Sequence, residues 1–220
     1  MQAPVKAVIF DMDGVLVNSE PLWRRAMIKG FTGSGIPFTE EDCRKTTGNR
    51  INEVVEYWHN HHRLDKITPV QLERNIIEEL LFLIDREGEP IAGIPELLEF
   101  CAVKDLKRGL ATSSSHELMN SVLKKLNFEK QFASVISAEH LPYGKPHPEV
   151  FLVCANELNT RPRNCIVVED SLNGIVAAKA AQMSVIAVPD AEHKNRKGFE
   201  LADYLCINMG EALNTLSELL

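Results

Sequence analysis

Short apolar runs recur along the 220-residue chain, and each of them ends at a polar or acidic residue or at a Pro-Asp pair. No polar residue interrupts a run, which is typical of strands buried on both faces of a parallel sheet. Amphipathic segments with helical periodicity lie between most runs, so the pattern predicts a doubly wound α/β domain, in which ligands bind beyond the carboxyl ends of the strands. The runs are Ala7–Phe10, Gly109–Ala111, Val135–Ile136, Ile166–Val168 and Val185–Val188, followed by Asp11, Thr112, Ser137, Glu169 and Pro189-Asp190, respectively.

One long stretch breaks this alternation, because residues 18–85 show only helical periodicity. Thr39 with Asp42, and Thr68 before Pro69, are typical helix starts. A helical insertion directly after the first strand predicts a small cap domain over 18–85, with the α/β core formed by 1–17 and 86–220. Both tryptophans, Trp23 and Trp58, are predicted to lie in the core of this cap and not to bind a ligand.

Composition restricts the possible partners and the compartment. Lys and Arg total 24 and Asp and Glu total 31, so the formal net charge is −7 and nucleic acid is not an expected partner. No apolar run approaches the roughly 18 residues of a membrane span, so no membrane association is expected. The five scattered cysteines, without a CxxC pair, indicate free buried thiols in a reducing, cytoplasmic compartment. No pattern marks a subunit interface, so we expect a monomer.

The string Asp11-Met12-Asp13-Gly14 directly after the first apolar run is the most informative one. Two carboxylates separated by one residue repel each other, which is costly unless a cation or different protonation states offset the repulsion. The alternative interpretation is an acidic loop that only caps the next helix.

This string resembles the first motif of the haloacid dehalogenase superfamily of phosphotransferases, in which DxDG follows an apolar strand. The other family motifs appear in order: Thr112 at the end of the second run, Lys145 before Pro146, and Glu169-Asp170 at the end of the fourth run. The resemblance covers essentially the whole chain. It implies a Rossmann-like core with an α-helical cap inserted after the first strand.

The resemblance also implies a role for each acidic residue. Asp11 would attack phosphorus to form an aspartyl-phosphate, and Asp13 would protonate the leaving oxygen and later take a proton from water. Asp11, the backbone carbonyl of Asp13 and Asp170 would bind Mg²⁺, which prefers oxygen ligands. Glu169 would either support these ligands from outside or bind the metal directly. Lys145 would place a positive charge between the nucleophile and the phosphoryl oxygens.

The phosphoryl oxygens would be bound by the Thr112 hydroxyl and the Ser113 backbone N–H, and Met12 belongs to the same substrate-binding set. Of the serines after Thr112, a later one is expected to cap the following helix. The Lys145–Pro146 bond is expected to be cis, as it often is in the family.

The cap after the first motif resembles the β-phosphoglucomutase-like branch, which acts on small phosphorylated sugars and acids. Segments 18–23 and 138–146 are similar to those of bacterial hexitol and 2-deoxyglucose-6-phosphate phosphatases, except that Asn18 stands where the family usually has Asp. The sugar phosphomutases carry a cap histidine at the position of Trp23, and its absence favours hydrolysis over phosphotransfer.

The implied function is a Mg²⁺-dependent phosphatase of small sugar or sugar-alcohol phosphates that works through an aspartyl-phosphate. The alternatives are phosphotransfer between positions of a hexose phosphate, a phosphoglycolate-type phosphatase, and a catalytically idle sugar-phosphate binder. Arg50, before a predicted cap helix, is expected to contact the substrate's hydroxyls or a second phosphate; otherwise it is a surface arginine.

Overall fold

The structure is a computed structural model that describes residues 4–46, 49–63, 66–190 and 197–220. Six parallel strands form one sheet in the order β3-β2-β1-β4-β5-β6, which confirms the predicted doubly wound α/β fold. The strands are β1 (Ala7–Phe10), β2 (Lys107–Thr112), β3 (Ser134–Ser137), β4 (Cys165–Glu169), β5 (Ser184–Ala187) and β6 (Tyr204–Leu205). Strands β1 to β5 match the predicted runs, whereas the two-residue edge strand β6 is too short to produce a pattern.

Nine α-helices lie in the described ranges. They are α1 (Glu20–Gly33), α2 (Glu40–Lys45), α3 (Ile51–His62), α4 (Pro69–Glu87), α5 (Ile94–Val103), α6 (His116–Leu126), α7 (Glu149–Glu157), α8 (Leu172–Ala180) and α9 (Met209–Glu218). The side chains of β1 alternate between two apolar layers because successive strand residues point to opposite faces. Val8 and Phe10 pack in the layer with α5, α6 and α9, and Ala7 and Ile9 pack in the layer with α7 and α8.

The register of the central strands brings the polar residues together. Phe10 pairs with Leu110 of β2 and with Val168 of β4. The residues that follow these strands therefore emerge side by side at one edge of the sheet, as the sequence predicted. Every residue of β1 and β4 is buried, so this edge is held by the rigid centre of the molecule.

Helices α1–α4 lie between β1 and α5 in sequence, and we call them the cap helices. Helix α4 packs along α1 and α3, and apolar side chains of these helices join the sheet layer that contains Phe10. The predicted helix starts are confirmed, because Thr39 and Thr68 each accept a hydrogen bond from the backbone N–H three residues later.

Two connecting segments join the cap helices to the sheet and run beside each other. Val17 bridges to Pro90, and the Ile91 N–H donates to the Leu16 carbonyl at 3.0 Å. All five cysteines are buried thiols and none forms a disulfide, as predicted. Among the described residues, no helix combines the length and apolar character that crossing a membrane would require.

Candidate active site

Asp11 follows β1 directly, and its side chain is buried at the edge of the sheet. Its backbone N–H donates to the Val168 carbonyl of β4 at 3.0 Å, which extends the sheet pairing by one residue. The chain then turns at Gly14, whose φ of 74° lies in the left-handed region that glycine adopts at little cost. The turn sends Asp13 toward the cap helices while Asp11 stays against the sheet.

Lys145 connects two carboxylates at the centre of the site. Its Nζ donates to Asp11 Oδ1 and to Glu169 Oε1, both at 2.6 Å, and its side chain is only 3% exposed. Burial lowers the pKa of Lys145, but the charges of Asp11 and Glu169 outweigh this effect and raise the pKa above its usual value. The ammonium group is therefore charged at physiological pH. The Lys145–Pro146 bond is cis, as the resemblance implied.

Glu169 is fully buried, and both of its oxygens have partners. Oε1 accepts from Lys145, while Oε2 accepts from the backbone N–H groups of Asp170 (2.9 Å) and Ser171 (2.8 Å) and from the Ser171 hydroxyl (3.0 Å). Gly174 leaves the space for this carboxylate, because a Cβ at that position would lie 1.6 Å from Oε1. These contacts favour the outer supporting role for Glu169 over direct metal binding.

Asp11, Glu169 and Asp170 each offer a carboxylate oxygen, and these oxygens lie within 4.8 Å of one another. Burial, together with the charges of Glu169 and Asp13, raises the pKa of Asp11 to about 7, although Lys145 opposes the shift. Burial and the Glu169 charge also raise the pKa of Asp170 well above its usual value. Such crowded, buried carboxylates fit a divalent cation, which would offset their repulsion, and the all-oxygen set suits Mg²⁺.

Asp13 is held by three hydrogen-bond donors. Ser19 Oγ (2.6 Å) and Trp23 Nε1 (2.9 Å) donate to its Oδ1, and Ser114 Oγ (2.6 Å) donates to its Oδ2. Trp23 packs against the apolar core as predicted, and its indole nitrogen in addition contacts Asp13, which the sequence did not predict. The one available signal was the position of Trp23, where the related mutases have a functional histidine. Trp58 lies in the cap core as predicted, at 3% exposure.

The segment after β2 lies against the same cavity. Thr112 is 1% exposed and its hydroxyl oxygen accepts the Ser114 N–H at 3.1 Å. Ser113 Oγ is buried without a hydrogen-bond partner in the described part of the chain, although Ser113 lines the cavity. A buried hydroxyl without a partner is costly, so this atom fits a ligand oxygen. Ser115 caps α6, as predicted for one of the later serines.

The cavity lies between the sheet edge and the cap helices. The core contributes Asp11, Asp13, Thr112, Ser113, Ser114, Lys145, Asp170 and Ser171 to its lining. The cap side contributes Glu20, Trp23, Arg24, Met27, Cys43, Arg44, Thr46, Asn49, Ile51 and Val54. Met12, predicted to bind substrate, has no exposed surface and is not among the residues that line the cavity. Acidic and basic groups of the cap thus line the same cavity as the phosphate-binding candidates.

Arg50 is not among the residues that line this cavity, so its predicted contact with the substrate stays a prediction. Its Nε donates to Glu53 at 2.9 Å, and another guanidinium nitrogen donates to the Leu141 carbonyl at 3.0 Å. The side chain also lies against Gly144, where a Cβ would come within 2.8 Å of Nε. Arg50 therefore links the cap to the loop that carries Lys145. Sequence alone did not reveal this direction of the side chain.

Comparison with known proteins agrees with this arrangement. The family profile described as haloacid dehalogenase-like hydrolase matches residues 8–188. The chain is 36% identical over 200 residues to hexitol phosphatase B of Escherichia coli K12, covering 90% of each chain. It is 30% identical over 217 residues to the phosphorylated carbohydrates phosphatase of Thermotoga maritima, covering 98% of this chain and all of the relative. A β-phosphoglucomutase structure from Clostridium difficile has the same fold, with a TM-score of 0.85 at 24% identity over 98% of this chain and 96% of that one.

Proposed function

Because the chain belongs to the haloacid dehalogenase-like hydrolase family, we propose that it is a magnesium-dependent phosphatase of small sugar or sugar-alcohol phosphates. The observation that carries the proposal is the contact of one buried lysine with both Asp11 and Glu169, next to Asp170. The names of two relatives, a hexitol phosphatase and a phosphatase of phosphorylated carbohydrates, support the substrate class.

Asp11 is the proposed nucleophile. Its carboxylate attacks phosphorus, and the bond from phosphorus to the sugar oxygen breaks, leaving an aspartyl-phosphate. Lys145 holds Asp11 by a 2.6 Å hydrogen bond and places a positive charge where the phosphoryl group arrives. This charge offsets the repulsion between the carboxylate and the incoming dianion.

Asp13 is the proposed acid and base. It donates a proton to the departing sugar oxygen and then takes a proton from the water that attacks the phosphorus of the aspartyl-phosphate, which restores both aspartates. Ser19, Trp23 and Ser114 orient its carboxyl group. Because Trp23 lies on α1, this acid reaches its full set of partners only when the cap helices lie against the core.

Asp11, Asp170 and the backbone carbonyl of Asp13 are the proposed Mg²⁺ ligands, with Glu169 supporting them. The bound ion supplies positive charge that stabilises the phosphoryl oxygens during transfer. Thr112 and Ser113 provide further donors to these oxygens from the end of β2. The buried, unpaired Ser113 hydroxyl supports this assignment.

Residues 18–85 are the proposed cap domain, and its cavity-lining side chains select the part of the substrate beyond the phosphate. Arg24 and Arg44 can donate to hydroxyls, and Glu20 can accept from them. Closure of the cap excludes water, which strengthens each of these contacts.

The test is incubation of the purified protein and Mg²⁺ with hexitol phosphates, 2-deoxyglucose 6-phosphate, hexose phosphates and phosphoglycolate, with inorganic phosphate as the readout. We expect phosphate release from at least one sugar or hexitol phosphate, reversible loss on chelation, and none from Asp11→Asn. Isomerisation of a hexose phosphate with little free phosphate would instead establish a mutase. Release from phosphoglycolate alone would reassign the substrate class, and binding without turnover of any compound would remove the enzyme assignment.

A further inference from the structure

A second group of potential metal ligands lies outside the active site. His116 is the first residue of α6, and Glu139 and His140 follow β3. Glu139 Oε2 accepts the His116 backbone N–H at 2.8 Å and lies 2.7 Å from His116 Nδ1 and 3.9 Å from His140 Nε2. The two imidazole rings stack with centroids 5.0 Å apart. The three ligand atoms all lie within 4.8 Å of one another.

These distances are close to those of a metal site. Four ligands about 2.0–2.1 Å from a zinc ion lie roughly 3.3 Å from one another. The distances from Glu139 Oε2 to His116 Nδ1 (2.7 Å) and to His140 Nε2 (3.9 Å) lie on either side of that value, and all three residues are exposed. The Glu139 backbone is held in place, since its N–H donates to Ser137 Oγ at 3.1 Å.

The chemistry of the donors separates this cluster from the active site. Two imidazole nitrogens and one carboxylate oxygen suit Zn²⁺ and similar borderline cations, with water as a fourth ligand. The all-oxygen group Asp11, Glu169 and Asp170 suits Mg²⁺. These are the two candidate groups in the described ranges, and their ligand types predict different ions.

The cluster faces the cap helices. Glu73 of α4 has a raised pKa because of its burial and because of the negative charges of Glu139 and Glu56. One residue after His116, Glu117 pairs with Arg74 of α4 at 2.9 Å. Like charges of Glu73 and Glu139 therefore oppose each other where α4 meets the core.

We propose that His116, Glu139 and His140 form a zinc-type cation site at the edge of the cap–core contact, and that its occupancy favours the closed cap. The bound cation adds positive charge beside Glu139 and so offsets its repulsion of Glu73 on α4, where the Arg74–Glu117 contact at 2.9 Å joins α4 to α6. The site is separate from the proposed Mg²⁺ site, and its cation is not part of the phosphatase chemistry.

Binding is tested by calorimetric titration of the metal-stripped full chain with ZnCl₂ in excess MgCl₂, without substrate. We expect one Zn²⁺ fewer per chain in the His116→Ala/His140→Ala double variant than in the wild type. In each single variant the Zn²⁺ affinity should fall at least roughly 10–100-fold, the loss that is typical when a residue supporting a metal ligand is removed. His61→Ala, at an exposed position of α3, is the matched control and should bind as the wild type does. No Zn²⁺ binding by the wild type, or equal binding by the double variant, would overturn the site.

The effect on the cap has its own readout. Trp58→Phe leaves Trp23, which contacts Asp13 across the cap–core boundary, as the single tryptophan. We expect Zn²⁺ to shift the Trp23 fluorescence in this variant, and the shift to disappear when His116→Ala and His140→Ala are added. An unchanged emission despite bound Zn²⁺, or a shift that persists without the histidines, would refute the coupling to the cap. Neither titration depends on phosphatase activity, so failure of the phosphatase proposal is distinguishable.

Discussion

Lys145 Nζ lies 2.6 Å from Asp11 Oδ1, although the two residues are 134 positions apart in the chain. The pair is buried, and Lys145 Nζ also lies 2.6 Å from Glu169 Oε1. One lysine therefore balances two carboxylates that would otherwise be buried as unpaired charges, and the same contact orients the proposed nucleophile.

Lys145→Met tests this double role. We expect kcat to fall by about 10²–10³, as for loss of one positioned donor to the reacting group. We also expect a loss of about 3–5 kcal/mol in the free energy of unfolding near neutral pH, since Asp11 and Glu169 lose their partner. Urea unfolding measures the second effect. Lys179→Met is the control, because the half-exposed Lys179–Asp203 pair contributes about 0–1 kcal/mol. Equal stability losses in both variants would contradict the prediction.

Trp23→Phe tests the hydrogen bond to Asp13. The substitution keeps the ring but removes the Nε1 donor, so we expect kcat on sugar phosphates to fall by about tenfold, part of the 10²–10⁴ that acid–base catalysis supplies. The rate of aspartyl-phosphate formation from p-nitrophenyl phosphate, measured by rapid mixing, should change little, because the p-nitrophenolate leaving group needs no acid. Trp58→Phe is the control, since the Trp58 indole nitrogen has no hydrogen-bond partner among the described residues. A similar loss in formation from both substrates would assign Trp23 a purely structural role.

Gly174→Ala tests the space beside Glu169. The new methyl group would lie 1.6 Å from Glu169 Oε1, so the carboxylate must move away from Lys145. We expect loss of activity and a lower melting temperature. Gly33→Ala in α1 is the matched control, because nothing lies within 4 Å of its Cβ position. A helical Gly→Ala change of this kind stabilises by roughly 0.5–1 kcal/mol. Full activity of Gly174→Ala would show that Glu169 does not position Lys145.

The raised pKa of Asp11 predicts how Mg²⁺ stabilises the protein. In the folded protein without metal the pKa of Asp11 is about 7, against an ordinary value of 3.8. Between pH 3.8 and about 7, Asp11 is protonated in the folded state but ionised in the unfolded state. The free energy of unfolding therefore falls as pH rises through that window. Mg²⁺ offsets the repulsion of the ionised carboxylates, and we expect its effect on the melting temperature to be larger at pH 8 than at pH 5. Asp170→Asn should weaken the effect at pH 8. An equal or larger effect at pH 5 would contradict the sign of the shift.

Arg44→Ala and Arg50→Ala distinguish two cap arginines. Arg44 lines the cavity, whereas Arg50 is bound to Glu53 and to the Leu141 carbonyl outside it. We expect Arg44→Ala to change the order of preference among sugar phosphates. Arg50→Ala should lower kcat/KM by a similar factor for all of them, because it loosens the link between the cap and the Lys145 loop. Steady-state kinetics on the same panel measures both, and a changed order of preference in Arg50→Ala would restore its predicted contact with substrate.

The sequence alone predicted the sheet and the residues that meet at its edge. Strand periodicity is a local property, and a parallel sheet necessarily places the carboxyl ends of its strands together. For that reason the sequence is sufficient to assign Asp11, Thr112 and Glu169 to one edge. Helix starts such as Thr39 were also predictable, because a capping box involves residues only three positions apart.

Only the tertiary structure decided which side chains meet across the cap–core boundary. The indole of Trp23 donates to Asp13 and the guanidinium of Arg50 donates to the Leu141 carbonyl, although neither pair forms part of one periodic pattern. Such contacts depend on how the cap helices pack against the rest of the chain. Local patterns carry no information about that packing, because the energies that decide it come from residues far apart in sequence.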